Sequence, residues 1–174
     1  VLGDKAEWGA LRLTVDMCID CASVMIRDFV IRLPHDRVFE DIAPRLIDLD
    51  DDGSPEVVVI ESDLQKGSRL GIYYESGLWA ATPFIGQSHR WLAPVGFGDF
   101  NGDGNMDVAY IDRPHLAQVL RVWSYSEDEL VEIASMPNLT NHKIGWDFIA
   151  GGVRDCGQGP EIITADGGWR DIVS

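Results

Sequence analysis

Residues 46–60 read LIDLDDDGSPEVVVI. Five carboxylates fall within nine positions, and an apolar run of strand-forming residues follows at once. Asp48, Asp50, Asp52 and Glu56 occupy positions 1, 3, 5 and 9 of the acidic stretch, with Gly53 at position 6. The pattern returns in GFGDFNGDGNMDVAYI, where Asp99 stands fifty-one residues after Asp48. There Asp99, Asn101, Asp103 and Asp107 hold positions 1, 3, 5 and 9, and Gly104 takes the glycine place. Like charges crowded twice at the mouth of a strand require a physical reason.

The cost of the crowding points to one. Two carboxylates about 4 Å apart repel by roughly 1 kcal/mol even in water. Four converging acids make six pairs, so the first stretch alone carries roughly 6 kcal/mol of repulsion. A shared dication reverses that sign. Oxygen ligands at alternate positions of a tight turn suit a hard cation of calcium size, with position 7 giving its backbone carbonyl. Ser54 and Asn105 hold that position. Glycine at position 6 supplies the backbone freedom of the turn. The expectation is two Ca2+ sites: Asp48, Asp50, Asp52, Ser54 and Glu56 in one, Asp99, Asn101, Asp103, Asn105 and Asp107 in the other. An EF-hand loop needs an acid at position 12, where Val59 and Tyr110 stand instead. The plainer alternative is that DDDG and NGDG are solvated turn sequences.

The stretches also set the organisation of the chain. Each is followed by further strand-like pieces, RLGIYYES and GLWAATPFI after the first, QVLRVWSYS and ELVEIASMP after the second. In VLRVWSY, Leu120 and Val122 share one face while Arg121, Trp123 and Tyr125 share the other. EDELVEIA is the nearest helix candidate, and its place in the repeat favours a strand. A third copy opens at IAGGVRDCGQGPEIITAD, and aligning Pro160-Glu161 with Pro55-Glu56 puts Val153, Asp155 and Gly157 at positions 1, 3 and 5. Too few ligands remain there for a cation. The predicted fold is all-β: tandem four-stranded antiparallel blades of a β-propeller, as an incomplete or partial ring. Residues 1–38 are read as strands that cap the array or join a neighbouring blade. Residues 39–88 and 89–141 are blades with the two acidic turns, and 142–174 a partial blade with a degenerate turn. The final strand of that unit is missing, so a longer parent chain is expected.

GFGDFNGDGNMDVAYID and LIDLDDDGSPEVVVIESD resemble the FG-GAP or VCBS repeats of integrin-like propellers. The resemblance runs from residue 43 to about 174 and is specific at the two acidic turns. It implies calcium held in the hairpin that links the first two strands of a blade, in a structural role. It also implies an extracellular or periplasmic setting and a part in adhesion, assembly or ligand recognition. Asn101 in place of Asp is a departure common in such repeats.

The net charge of −15 argues against nucleic acid or an anionic membrane as partner, since nothing basic is clustered to meet phosphates. No apolar run reaches membrane-spanning length. The chain begins at Val1, as a processed or trimmed product would, and export of a precursor is compatible with that. Cys18 and Cys21 lack the His of a heme-attachment motif and the second pair of a zinc site. They are read as a local disulfide or two half-buried thiols, with Cys156 left over. The segments HRWLAP and NHKIGWDF offer Arg90, Trp91, His142 and Trp146 as a partner face for a protein or glycan ligand. The competing reading packs those tryptophans between blades. No HExxH, GxSxG, P-loop or dinucleotide fingerprint occurs, so a non-enzymatic binding module is expected. The rivals are a propeller scaffold within a secreted enzyme of polysaccharide lyase or phospholipase type, and a structural subunit of a surface assembly, with oligomerisation open.

Overall fold

The computed structural model describes residues 7–18 and 21–174; of the N-terminal segment 1–38, residues 1–6 and 19–20 lie outside the described residues. Strands β1 (Ala10–Asp16) and β2 (Ile26–Arg32) form an antiparallel hairpin. Cys18 and Cys21, in its connection, are joined by a disulfide. The first main sheet contains β3 (Arg37–Phe39), β4 (Arg45–Ile47), β5 (Glu56–Asp63), β6 (Gly67–Tyr74) and β7 (Gly77–Ala81). The second is an unbroken antiparallel meander of β8 (Leu92–Gly98), β9 (Asp107–Asp112), β10 (Val119–Ser126) and β11 (Glu129–Pro137). The third has β12 (Leu139–Thr140), β13 (Gly152–Asp155), β14 (Pro160–Asp166) and β15 (Ile172–Val173). No α-helix occurs among the described residues. EDELVEIA lies in the β10–β11 turn and β11, where cross-strand pairing overrides its local helical preference.

The three sheets share one plan. A first strand pairs with one edge of a second strand, and the rest of the sheet continues on the other edge. In the first sheet that leading strand is split: β4 pairs with Glu56–Val58 and β3 with Glu61–Asp63 on the same side of β5. The second sheet keeps it continuous as β8, with an irregularity between Pro94 and Gly96. The third splits it again into β13 and β12. The first sheet starts at Arg37 and the third at Leu139. The acidic turns set the sequence period, and the long connection from 141 to 151 hides the kinship of β12 with β13. Each sheet is open, and the ring is not closed by strand pairing among the described residues.

The second strands hold the core. Every side chain of β9 is buried, as are all but one in β5. A strand alternates its side chains between two faces, so these two need packing partners on both. Val58 and Ile60 face the second sheet and meet Leu92, Val108 and Tyr110 in the largest core cluster. Val57 and Val59 face the other way, onto Leu11 and Leu13 of the N-terminal hairpin. Ala109 and Ile111 turn toward the third sheet, with Leu120, Val122 and Leu139 around them. Trp123 and Tyr125 fall in the first cluster and Leu120 and Val122 in the last, the alternation expected of β10. Each fully buried aliphatic of this set contributes on the order of 1.5–3 kcal/mol.

Close approach of the second and third sheets depends on glycine. A Cβ on Gly96 would lie 2.6 Å from Val153 Cγ2, and one on Gly98 2.8 Å from Pro160 Cβ. Gly96→Ala is expected to cost about 1–3 kcal/mol by overpacking. Adding Val153→Ala should return part of that loss. Urea unfolding of the single and double variants measures it; no recovery in the double variant would place the strain elsewhere.

Candidate metal centre

Both acidic stretches are eight-residue turns. Ile47 pairs with Glu56 across the first and Gly98 with Asp107 across the second, leaving 48–55 and 99–106 as the connections. The two are built alike, residue for residue. At position 1, Asp48 accepts the N–H groups of Asp52 and Gly53 at 3.1 and 2.9 Å. Asp99 accepts those of Gly102, Asp103 and Gly104 at 2.7, 3.1 and 2.9 Å. At position 3, Asp50 Oδ1 and Asn101 Oδ1 each accept the N–H of position 5. At position 5, Asp52 and Asp103 accept from Ser54 and Asn105 at 2.7 and 2.8 Å. At position 9, Glu56 Oε2 and Asp107 Oδ2 reach back to the N–H of Leu49 and Phe100, both at 2.9 Å. The glycines at position 6 have φ of +86° and +87°, the left-handed region their place in the motif requires. Position 4 is left-handed as well: Gly102 takes it freely, and Asp51 at φ 59° uses the tolerance of Asp for that region.

Residues 48–110 match the family model described as FG-GAP-like repeat, from the first ligand position of the first turn into β9 beyond the second. This segment resembles an FG-GAP-like repeat. It spans both acidic turns and the whole of β5 through β8. No curated protein and no solved structure gave a significant match to the chain.

The donor sets of the FG-GAP-like segment fit a hard divalent cation. In the first turn Asp48, Asp50 and Glu56 each bring a carboxylate oxygen within 4.8 Å of the others. Among the described residues no other trio of acid, His or Cys side chains gathers so closely. Asp52 and the Ser54 carbonyl complete the candidate set by position. Burial, opposed by the Leu49 N–H and reinforced by Asp50 and Asp52, raises the pKa of Glu56. In the second turn Asp107 is fully buried, and its Oδ1 has no hydrogen-bond partner. Burial raises its pKa too; Ser124, its cross-strand neighbour, offsets this in part without closing a hydrogen bond to Oδ1. A buried acceptor left unpaired costs roughly 1–3 kcal/mol, more when charged. A cation supplied by the solvent would remove that penalty. Asn101 Nδ2 donates to Asp103 Oδ2 at 2.8 Å, so the second turn softens its own repulsion with an amide where the first has only acids. The N–H of Asn105, with help from Asn101, holds the Asp103 carboxyl below its usual range.

The third turn departs from this pattern and from its ungapped alignment. Arg154 pairs with Glu161 and Asp155 with Pro160, so the turn, 156–159, is four residues shorter than the others, and Val153 lies in β13 opposite Ile162 rather than at a ligand position. Asp155 takes the position-1 role, accepting from Gly157 and Gly159 at 2.6 and 3.3 Å. Glu161 is held by the Arg154 guanidinium at 2.8–2.9 Å.

At the opposite ends of the strands, the proposed partner face is partly corrected. Trp91 is 4% exposed and sits in the core between the first two sheets, its indole N–H on the Glu40 carbonyl at 2.9 Å. His142 is 1% exposed, with its ring 5.2 Å from that of Trp91. Neither presents a surface; both fill the space where the leading strands converge. Arg90 is half-buried, with Nε on Gln87 Oε1 at 3.2 Å. Trp146 remains partly exposed in an aromatic group that sequence reasoning missed. It stacks on Phe148 at 4.4 Å and meets Trp169 edge-on at 5.0 Å, with Lys143 Nζ 4.6 Å from the Trp169 centroid. Trp169 belongs to the β14–β15 turn, and no local motif links it to Trp146.

Buried His142 pairs with half-buried His115. The Trp146 carbonyl can only accept, so His142 Nε2 carries the proton, and its Nδ1 accepts from His115 Nε2 at 2.9 Å. Burial lowers both pKa values, and for His115 the neighbouring His142 adds to it. A lowered histidine pKa means that the unfolded chain binds protons more readily, so stability present at pH 7.5 falls as pH drops through about 6.5. His115→Gln should lose less stability between pH 7.5 and 5.5 than the unaltered protein. Urea midpoints at the two pH values measure this, and equal losses would exclude the pair as a source of acid sensitivity.

Proposed function

We propose that the chain is a calcium-stabilised module of an exported β-propeller, holding one ion in each acidic turn and binding a macromolecular partner without chemistry of its own. The observation that carries the calcium reading is the buried, unpartnered Asp107 Oδ1 within a turn whose hydrogen bonds repeat those of 48–56. Asp48, Asp50, Asp52, Glu56 and the Ser54 carbonyl hold the first ion; Asp99, Asn101, Asp103, Asp107 and the Asn105 carbonyl hold the second. The Cys18–Cys21 disulfide supports an oxidising, extracellular or periplasmic location. The face-to-face stacking of four-stranded sheets supports a propeller ring, and the FG-GAP-like segment supports the same family of architecture. For the partner, a protein or glycan, the loop end carrying Trp146, Phe148, Trp169 and Arg90 is the proposed face.

The enzymatic alternative looks to a cleft of about 200 Å³ beside Arg90, lined by His35, Arg37, Glu40, Asp63, His89 and Trp91 among others. Two of its three acids have structural duties that argue for the binding role. Asp63 accepts the N–H groups of Gln65 and Lys66, and Glu40 accepts the Ser62 hydroxyl.

Calcium titration of the chelator-treated protein by calorimetry should give two sites. At a hundredfold excess over Kd each site adds about 2.7 kcal/mol, or roughly 5–11 °C in melting temperature for a domain of this size. Asp103→Ala should lose one site and keep the first turn competent. Two sites remaining in that variant, or a melting curve unmoved by chelator, would remove the calcium assignment.

A further inference from the structure

We infer that each acidic turn clamps its sheet to the next one through the apolar residue at position 2, so that cation affinity and inter-sheet packing are coupled. This rests on the calcium reading above. Phe100 does two things at once. Its N–H is donated to Asp107 Oδ2 at 2.9 Å, fixing the acid at position 9 whose other oxygen is buried and unpartnered. Its ring packs against the cluster between the second and third sheets, to which the third sheet contributes Leu139 and against which Ile162 and Val173 also pack. Leu49 repeats the arrangement one unit earlier. Its N–H binds Glu56 Oε2 at 2.9 Å, and its buried side chain lies in the core between the first and second sheets, with Val108 and Tyr125.

The second turn also grips backwards. Met106, at position 8, packs against the core shared with the first sheet, and its carbonyl accepts the Tyr125 N–H at 3.0 Å. A residue that orients the ligand at one end and is seated in the neighbouring sheet at the other links the two equilibria. Coupling between two binding events is reciprocal. A cation that fixes Asp107 therefore seats Phe100, and removing the Phe100 ring weakens the cation at the second turn alone. Phe100 and Leu49 are positioning residues in this scheme; they touch no ion.

The test uses the full chain with the first turn silenced by Asp50→Ala, so that calorimetry with CaCl2 reads only the second turn. Phe100→Ala in that background should weaken calcium binding on the order of tenfold, and Phe100→Leu should restore most of it. Leu49→Ala, which reaches the second turn only through the core it shares with Met106, should weaken second-turn affinity less than Phe100→Ala. Amide exchange in β13 and β14 should rise when calcium is chelated from the Asp50→Ala protein. If Phe100→Ala does not fold, exchange in β13 and β14 of the Asp50→Ala protein decides, and protection indifferent to chelator overturns the clamp. Unchanged affinity in folded Phe100→Ala, or an equal loss in Leu49→Ala, also overturns it while leaving calcium binding intact. An Asp50→Ala protein that binds no calcium overturns the second-turn calcium reading itself, and the clamp with it.

Discussion

The second strand of a sheet, β5 or β9, has almost no side chain facing water, and that constraint organises the molecule. Alternation sends Val57 and Val59 one way and Val58 and Ile60 the other, so one layer of sheet cannot satisfy the strand. The first sheet meets the demand with the N-terminal hairpin on one side and the second sheet on the other. The second sheet meets it with a neighbour on each face. Buried charge follows the same logic. Glu61, in the middle of β5, is fully buried, and it persists there because Arg37, Arg69 and the Tyr73 hydroxyl all close on its carboxylate within 3.0 Å. The acidic turns sit at the entrances of these two strands, and their last acids, Glu56 and Asp107, are the first residues of the buried runs.

That position explains why the turns were legible in the sequence. Ligand spacing and the glycine at position 6 are local properties, fixed by a few consecutive dihedrals, and the hydrogen bonds of 48–56 reappear at 99–107 with the same partners. All-β architecture was legible for a related reason, since period-two runs are also local. What escaped depends on distant pairing. The split of the leading strand into β3 and β4 is decided by which half of β5 each piece meets. The shortened third turn is set by the Arg154–Glu161 register, which an ungapped alignment cannot see. Trp91 and His142 have the composition of a binding patch, yet their location where leading strands converge makes them core. Asp63 and Asp166 show a quieter signal. Each closes a second strand and gathers the N–H groups of the turn that follows, so a lone acid after an apolar run was a structural marker.

The turn between β13 and β14 carries a different implication. Where its two counterparts gather carboxylates, this one sets a guanidinium against Glu161, with both side chains open to solvent. A positive group attached to the chain cannot be diluted away, as a dissolved ion can. Such an exposed pair is worth at most about 1 kcal/mol and weakens with ionic strength. The third sheet thus carries at this turn an ion pair that responds to salinity, a property set by the chain itself.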